Sequence, residues 1–228
     1  LTVYDALTYA GTLTNLTAVS DDPRYRFVHA DICDPNRLHQ EMAGHGAVVH
    51  FAAESHVDRS INGAQTFTTT NVVGTANVMQ AALDEGVARV IHVSTDEVYG
   101  SIPEGAWPET DPLLPTSPYS ASKAGSDLIA SSFYRSFQLP VVITRCSNNY
   151  GPHQFPEKII PLFITNLLEG KKVPVYGDGS ARRDWLHVAD HCRGIALALT
   201  KGASGEIYNI GGGTELSALE LTRLLVTK

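Results

Sequence analysis

A strand end at residues 93–100 organises this chain: Val93-Ser94-Thr95-Asp96-Glu97-Val98-Tyr99-Gly100. The apolar run that leads into it, residues 89–93, is typical of a buried strand. Open α/β sheets bind their ligands at the carboxyl ends of their strands. We therefore expect Thr95, Asp96 and Glu97 to lie at the ligand edge of a parallel sheet.

Acid–base chemistry is predicted at this edge. Two carboxylates in one cleft push their pKa values apart, which leaves one as an acid and the other as a base. Farther on, Tyr119-Ser120-Ala121-Ser122-Lys123 places a tyrosine and a lysine four residues apart, on one face of a predicted helix. A tyrosine hydroxyl titrates near ~10 in water, and a neighbouring ammonium favours its phenolate, so Tyr119 can act as a base. Taken alone, the pair also fits an ordinary exposed helix face.

The composition bounds the class of protein. The 228 residues are 43% hydrophobic and 18% charged, which suits one globular domain with a core and a small second lobe. A net charge of −7 disfavours binding to nucleic acid or to an anionic membrane. Three scattered cysteines indicate neither a disulfide framework nor a metal site. With no apolar run near the ~18 residues of a membrane span and no leader segment, we expect a cytoplasmic protein.

Other strand ends indicate a dinucleotide site. Residues 1–5 are predicted to form a strand that closes on Asp5, where dinucleotide folds bind ribose hydroxyls and a carboxylate favours NAD over NADP. A bare aspartate there also fits a simple turn. Residues 26–32 and 47–53 are predicted strands, and the small side chains of Ala52 and Ala53 let a cofactor approach. Arg59 fits a ligand contact or a solvated charge.

The remaining pattern alternates helices and strands. In the helix predicted from 62 to 86, Gly74 costs about 1 kcal/mol against alanine, so we expect close packing against it. The further predicted helices are 35–43, one from 118, one ending near 169, 188–201 and one from 217. The further predicted strands are 139–145, 173–176, 183–186 and 206–210.

Five segments carry a resemblance to a known family: residues 52–60, 94–100, 119–123, 146–151 and 183–188. They resemble the extended short-chain dehydrogenase/reductase superfamily and, within it, the dTDP-glucose 4,6-dehydratases. The resemblance implies an α/β fold with a doubly wound Rossmann-type parallel sheet. It implies an NAD-binding domain at 1–151, an interleaved partial substrate lobe at 152–228, and a homodimer formed through the helices at 62–86 and 118–137.

The resemblance also implies a role for each matching residue. The expected catalytic residues are Thr95, Asp96, Glu97, Tyr119 and Lys123. The expected NAD contacts are Asp5, Leu7, Thr8, Asp31, Ile32, Phe51, Ala52, Ala53, Ser55, Thr70, Ser94, Tyr119, Lys123 and Asn149. The expected nucleotide-sugar contacts are Ser55, Thr95, Asn148, Lys158, Ile159, Val175, Tyr176 and Arg183.

The implied reaction converts dTDP-glucose to dTDP-4-keto-6-deoxyglucose. Tyr119 takes the proton of the sugar's 4-hydroxyl while C4 is oxidised, Glu97 removes the C5 proton, and Asp96 protonates the departing 6-hydroxyl. The cofactor then returns its hydride to C6. Two alternatives stay open: a nucleotide-sugar epimerase or decarboxylase, against which the Asp96–Glu97 pair argues, and a catalytically silent NAD-binding fragment.

One departure from the pattern bears on the fold. No strand with a Gly-x-x-Gly-x-x-Gly loop precedes Leu1, although dinucleotide folds begin with one. In a sheet of order 3-2-1-4-5-6 that first strand is central, so we expect a broken sheet with two unpaired edges. The C-terminal part of the substrate lobe is also expected to be missing. The sequence then reads as part of a longer gene product that folds poorly and binds NAD weakly by itself.

Overall fold

The computed structural model describes residues 1–102, 104–175 and 177–227. The chain forms two compact units, residues 1–145 with 195–209, and residues 146–194 with 210–228. Within those described ranges, no helix is both long enough and apolar enough to cross a bilayer.

The strands and helices alternate along the chain. The strands are β1 Thr2–Asp5, β2 Arg26–His29, β3 Ala47–His50, β4 Arg89–Thr95, β5 Val141–Cys146, β6 Asn148–Tyr150, β7 Arg182–His187, β8 Ile207–Ile210 and β9 Glu215–Ser217. The α-helices are α1 Pro35–Met42, α2 Val57–Asn62, α3 Ala64–Thr68, α4 Thr75–Asp84, α5 Pro118–Phe137, α6 Ile159–Leu168, α7 Val188–Lys201 and α8 Ala218–Val226. Short 3₁₀ turns cover Leu13–Val19 and Asp96–Tyr99.

The first unit carries an interrupted sheet. Strands β1 and β2 form a parallel pair, and β3-β4-β5-β8 form a separate four-stranded sheet in which β3 and β4 are parallel. Among the described residues no strand joins β1 to β3. This is the order 3-2-1-4-5-6 with a gap at its first strand, so the α/β Rossmann-type class and the broken sheet agree with expectation.

The long helix predicted over residues 62–86 is wrong in detail. Gly63, with φ −148°, separates α2 from α3, and a π-helical segment at Thr69–Gly74 joins α3 to α4. The close packing predicted at Gly74 is confirmed, because a Cβ there would lie 2.5 Å from Ile32 Cδ1. Helices α1 and α4 and strands β4 and β5 enclose one apolar core around Met79, Val90 and Val141.

Helix α5 begins where the sequence predicts. Ser117 caps it through a reciprocal capping box with Ser120, and Pro118 occupies the first turn, where its missing N–H costs nothing. The helix ends at Gln138, which adopts the left-handed conformation with φ 60°. These local signals fix the position of Tyr119 and Lys123 within the first two turns.

The second unit contains a three-stranded sheet of order β6-β7-β9, with β6 and β7 parallel and β7 and β9 antiparallel. The strand predicted at 173–176 is wrong, since 173–175 form no strand and Tyr176 lies outside the described residues. Its Val-Pro-Val pattern contains the β-branched side chains that strands favour, but proline has no backbone N–H to donate to a neighbouring strand. Strand β9 was not predicted.

Candidate active site

A capped turn carries the two candidate carboxylates. Strand β4 ends at the buried Thr95, whose Oγ1 accepts a hydrogen bond from the Glu97 amide at 3.2 Å. The same hydroxyl donates to Asp96 Oδ1 at 3.3 Å. Both carboxylate residues are half-buried at the start of the 3₁₀ turn. Thr95 therefore fixes the backbone of one acid and the side chain of the other.

The lysine of the candidate pair lies beneath the same strand end. Lys123 is buried, and its Nζ donates to the Val93 carbonyl at 2.9 Å. Tyr119 precedes it by one helical turn, is half-buried, and packs edge-on against Phe67 with ring centroids 6.3 Å apart. The ammonium is thus anchored two residues before Thr95, and its side chain has little freedom to leave.

Sequence reasoning missed a residue that connects the surrounding loops. Asn71, buried in the π segment, accepts from the Glu54 amide at 2.8 Å and donates to the Glu54 carbonyl at 2.9 Å. Its Nδ2 also donates to Ser122 Oγ at 2.8 Å, and that hydroxyl donates to the Tyr119 carbonyl at 2.7 Å. The loop after β3 and the first turn of α5 are therefore held together. A polar asparagine amid helical valines was the available signal.

The predicted NAD contacts of the first unit lie around the strand ends. At β1, Asp5 is exposed and accepts from the Leu7 amide at 2.7 Å, and Leu7 adopts a left-handed φ of 47°. A Cβ on Gly11 would lie 2.6 Å from Leu7 Cα, so this loop folds tightly on itself. After β3, Phe51 is 57% exposed and the small Ala52 follows. An available carboxylate, an exposed ring and a small side chain fit a dinucleotide.

The other predicted NAD contacts differ in burial. Ile32 is buried against Gly74, and Ser94 is buried within β4. Asp31 is exposed and accepts from the Cys33 amide at 2.8 Å. The remaining ones in this unit are partly or fully exposed: Thr8, Ala53, Ser55 and Thr70.

Arg59 is exposed yet not merely solvated. Its guanidinium carbon lies 3.7 Å from the centroid of the Tyr9 ring, a cation–π arrangement. This contact joins the start of α2 to the loop that follows Asp5. The loop next to the predicted ribose contact is thereby held against the helix.

The predicted sugar-nucleotide contacts in the second unit are distributed over strands β6 and β7, the start of helix α6, and a loop. Asn148 and Asn149 lie on β6, where Asn149 Nδ2 donates to the Ser147 carbonyl at 3.1 Å. Lys158 and Ile159 begin α6, and Val175 precedes the undescribed Tyr176. The remaining contact, Arg183, is exposed on β7 and donates to the Arg182 carbonyl at 2.8 Å.

A buried charged cluster lies behind the turn that carries the two candidate carboxylates. Arg145 Nε donates to Asp127 Oδ2 at 2.9 Å, and His92 Nε2 lies 3.2 Å from Asp127 Oδ1. Burial acts to raise the pKa of Asp127, but the hydrogen bond from His92 and the Arg145 charge outweigh it and hold that pKa below its usual value. Burial, with a contribution from Lys123, lowers the pKa of His92. Asp127 is therefore charged and His92 neutral near pH 7.

Comparisons with known proteins give a consistent result. The family model described as GDP-mannose 4,6 dehydratase matches residues 1–228. The chain is 55% identical over 226 residues to a dTDP-glucose 4,6-dehydratase of Streptomyces niveus, covering 99% of this chain and 67% of that protein. It is 60% identical to the Streptomyces antibioticus enzyme of the same name, with the same coverage.

A solved structure is equally similar. The dTDP-glucose 4,6-dehydratase DesIV of Streptomyces venezuelae, crystallised with NAD and TYD bound, matches with a TM-score of 0.98 and 62% identity. The match covers 99% of this chain and 70% of that one.

Proposed function

The chain belongs to the dTDP-glucose 4,6-dehydratase family, and on this premise we propose that it converts dTDP-glucose to dTDP-4-keto-6-deoxyglucose with NAD as its cofactor. The observation that carries this proposal is the turn after β4, where the Thr95 hydroxyl holds Asp96 and the Glu97 amide. A dehydration needs one group to remove the C5 proton and another to protonate the leaving hydroxyl. An epimerase that acts only at C4 needs neither.

The chain's own residues supply the proton transfers. We assign Tyr119 as the base that takes the proton of the sugar's 4-hydroxyl, because the Lys123 ammonium one helical turn away favours its phenolate. Thr95 orients that hydroxyl. Once C4 is a ketone, the C5 proton is acidic enough for Glu97 to remove it, and protonated Asp96 gives its proton to the departing 6-hydroxyl. When bound, NAD would supply the redox chemistry that the oxidation at C4 and the later reduction require.

Two groups of residues would hold the ligands. Asp5 suits the ribose hydroxyls of the cofactor, because its carboxylate is exposed at the end of β1. In the second unit we assign Lys158 and Arg183 to the diphosphate of the substrate, since guanidinium and ammonium groups bind phosphate oxygens well. Asn148 is assigned to the substrate and Asn149 to the cofactor.

A mass measurement tests the reaction. Incubation of the full-length protein with dTDP-glucose and NAD should give a product lighter by one water. An epimerase product keeps the mass of the substrate, and a silent NAD-binding protein gives no product.

Replacing Glu97 by glutamine tests the assigned base. Glu97→Gln should stop the loss of water, because the amide cannot accept the C5 proton. Bound NAD should still be reduced by substrate, because Glu97 acts only after C4 has been oxidised. Reduced nicotinamide is followed by its absorbance and product by mass. Glu104→Gln, at an exposed glutamate beyond the turn, is the matched control. Dehydration at the wild-type rate by Glu97→Gln would contradict the assignment.

We further propose a homodimer formed through the helices around α4 and α5. Val73 and Leu128 leave 49% and 63% of their surface exposed on these helices, an apolar face that a second copy would cover. Leu128→Asp should lower the mass measured by sedimentation to that of a monomer. Leu224→Asp, at a 50% exposed leucine of α8, is the control and should leave the dimer intact.

We place the enzyme in the cytoplasm. None of the three cysteines, all of which lie among the described residues, forms a disulfide, which fits a reducing compartment. Fractionation of the source cells tests the assignment, and recovery of the protein outside the cytoplasm would contradict it.

A further inference from the structure

We propose that Arg145 and Tyr99 are positioning residues that hold the turn bearing Asp96 and Glu97 in place for the elimination of water. The proposal rests on the proposed dehydratase function. It assigns a role to two side chains that do not belong to the acid–base set itself. Both act through the turn rather than on the sugar.

Arg145 is the centre of the arrangement. Its side chain is buried on β5, where Nε donates to Asp127 Oδ2 at 2.9 Å and Nη1 donates to the Tyr99 hydroxyl at 2.7 Å. The guanidinium carbon also lies 4.7 Å from the centroid of the Tyr99 ring. One cation therefore connects a carboxylate of helix α5 to the last residue of the catalytic turn.

Tyr99 is held by contacts on all sides. Its hydroxyl donates to Asn209 Oδ1 at 2.9 Å, and its ring stacks on Trp107 with centroids 5.6 Å apart and planes inclined by 10°. The side chain of Asn209 in turn donates to the Trp107 carbonyl at 2.8 Å, and its backbone amide donates to Glu109 Oε1 at 2.9 Å. The turn is therefore fixed at its start by Thr95 and at its end by Tyr99.

The ion pair also links the two sets of catalytic residues. Asp127 lies one helical turn beyond Lys123 on α5, so it shares a rigid element with the tyrosine–lysine pair. Through Arg145 that element is tied to Tyr99 and hence to the carboxylates. The link is permanent near neutral pH, because Asp127 is held charged and arginine does not lose its proton.

The two chemical stages depend on this link to different degrees. Oxidation at C4 relies on Tyr119, Lys123 and Thr95, none of which needs the Tyr99 hydroxyl. Elimination relies on Asp96 and Glu97, which follow the turn. Because a displacement of about 1 Å can cost ~10²-fold in rate, a loosened turn should slow elimination selectively.

Tyr99→Phe in the full-length enzyme tests the proposal. The ring and its stacking on Trp107 are retained, while the bridge from Arg145 to Asn209 is lost. In single-turnover experiments with dTDP-glucose we expect C4 oxidation within about twofold of wild type and elimination slowed by ~10-fold or more. Reduced nicotinamide should then accumulate, and deuterium from solvent should enter the sugar at C5 correspondingly slowly.

A second readout needs neither substrate nor turnover. Hydrogen exchange of the amides at residues 96–100 should be faster in Tyr99→Phe than in wild type, with exchange in α5 unchanged. Tyr208→Phe is the matched control. Tyr208 lies next to Asn209 on β8, and its hydroxyl accepts a hydrogen bond from the Ala203 amide at 3.0 Å, outside the cluster. It should leave both the stepwise rates and the exchange of the turn as in wild type.

The outcomes separate the two proposals. If wild-type enzyme releases no water from dTDP-glucose, the proposed function fails. If wild type dehydrates but Tyr99→Phe slows both stages equally, or slows neither, the positioning role is overturned. Arg145→Lys keeps the charge beside Asp127 and shortens the reach to Tyr99, so it should reproduce the selective loss of elimination.

Discussion

Two arginine–carboxylate pairs in this chain have almost the same geometry and very different surroundings. Arg145 and Asp127 are 2.9 Å apart, with 3% and 1% of their side chains exposed. Arg182 and Glu215 are 3.0 Å apart, with 49% and 60% exposed. The first pair lies inside the first unit, and the second lies on the surface of the second unit.

The contrast shows that distance alone says little about what an ion pair does. In water, a charge that loses its partner is resolvated at small cost, and exposed pairs contribute about 0–1 kcal/mol. In the interior, the remaining charge is not solvated by water, and breaking the pair costs about 3–5 kcal/mol. Such a pair is therefore suited to holding the turn of Asp96 and Glu97 in place, whereas the surface pair joins β7 to β9 loosely.

The largest expected effect is at Arg145. Arg145→Met should lower the free energy of unfolding by about 3–5 kcal/mol, because it leaves the Asp127 carboxylate buried without its cation. Denaturant unfolding of the full-length protein measures this. If the variant does not fold, the milder Arg145→Lys should still be less stable than wild type. A loss below about 1 kcal/mol in Arg145→Met would mean that water reaches the buried pair. The Arg145–Asp127 pair would then contribute no more to stability than the exposed Arg182–Glu215 pair.

Acid should break the buried region in two stages. Burial, together with His92 and Lys123, lowers the pKa of His50 well below its usual value, and burial lowers that of His92. Between these lowered pKa values and about 6.5, the two histidines bind protons in the unfolded chain but not in the folded one. The free energy of unfolding therefore falls as pH drops below about 6.5. Asp127, whose pKa is also lowered, contributes stability above about 3.9 that is lost as pH falls further.

The pH dependence is measured from unfolding midpoints across this range. His50→Gln removes one of the two buried histidines, so stability should fall less steeply with pH in the first stage. The control, His153→Asn, alters an exposed residue with φ 66°, a conformation that asparagine tolerates, and should leave the curve unchanged. Constant stability between about pH 7 and 5 would argue against neutral buried histidines.

The smallest expected effect is at the surface pair. Arg182→Met should change the free energy of unfolding by no more than about 0.5 kcal/mol, although it removes bonds to both Glu215 and Glu220. High salt should leave the difference from wild type smaller still, because exposed charges are screened. A loss comparable to that of Arg145→Met would show that exposure does not separate the two pairs.

Local signals in the sequence were sufficient for several elements. Ser117 and Pro118 mark the start of α5, Asp34 and Pro35 mark that of α1, and Gly74 announces a close approach. The turn with Asp96 and Glu97 follows its strand as expected. The two helix starts and the turn are decided within a few residues, where capping and hydrophobic pattern act directly. Gly74 indicates that something packs closely against it, but not that the neighbour is Ile32.

The buried cluster could not be found in this way. His92, Tyr99, Asp127, Arg145 and Asn209 come from five separate segments. Tyr99 stands in the stretch 93–100, but no sequence pattern pairs it with the other four residues. Their partnership arises only when β4, α5, β5 and β8 pack together. The strand predicted near 173 was wrong for a related reason, because β propensity is decided by the pairing that tertiary structure provides.

The π segment at Thr69–Gly74 has a consequence for how the sequence can vary in length. A π turn holds one residue more than an α-helical turn, so deleting a single residue there can restore regular α-helix. Residues before and after the segment would keep nearly the same faces, because the wider π turn absorbs the extra residue, whereas Asn71 inside the segment would be displaced from Ser122. A one-residue gap in a helix, ordinarily a minor event in an alignment, would here disconnect two loops of the site.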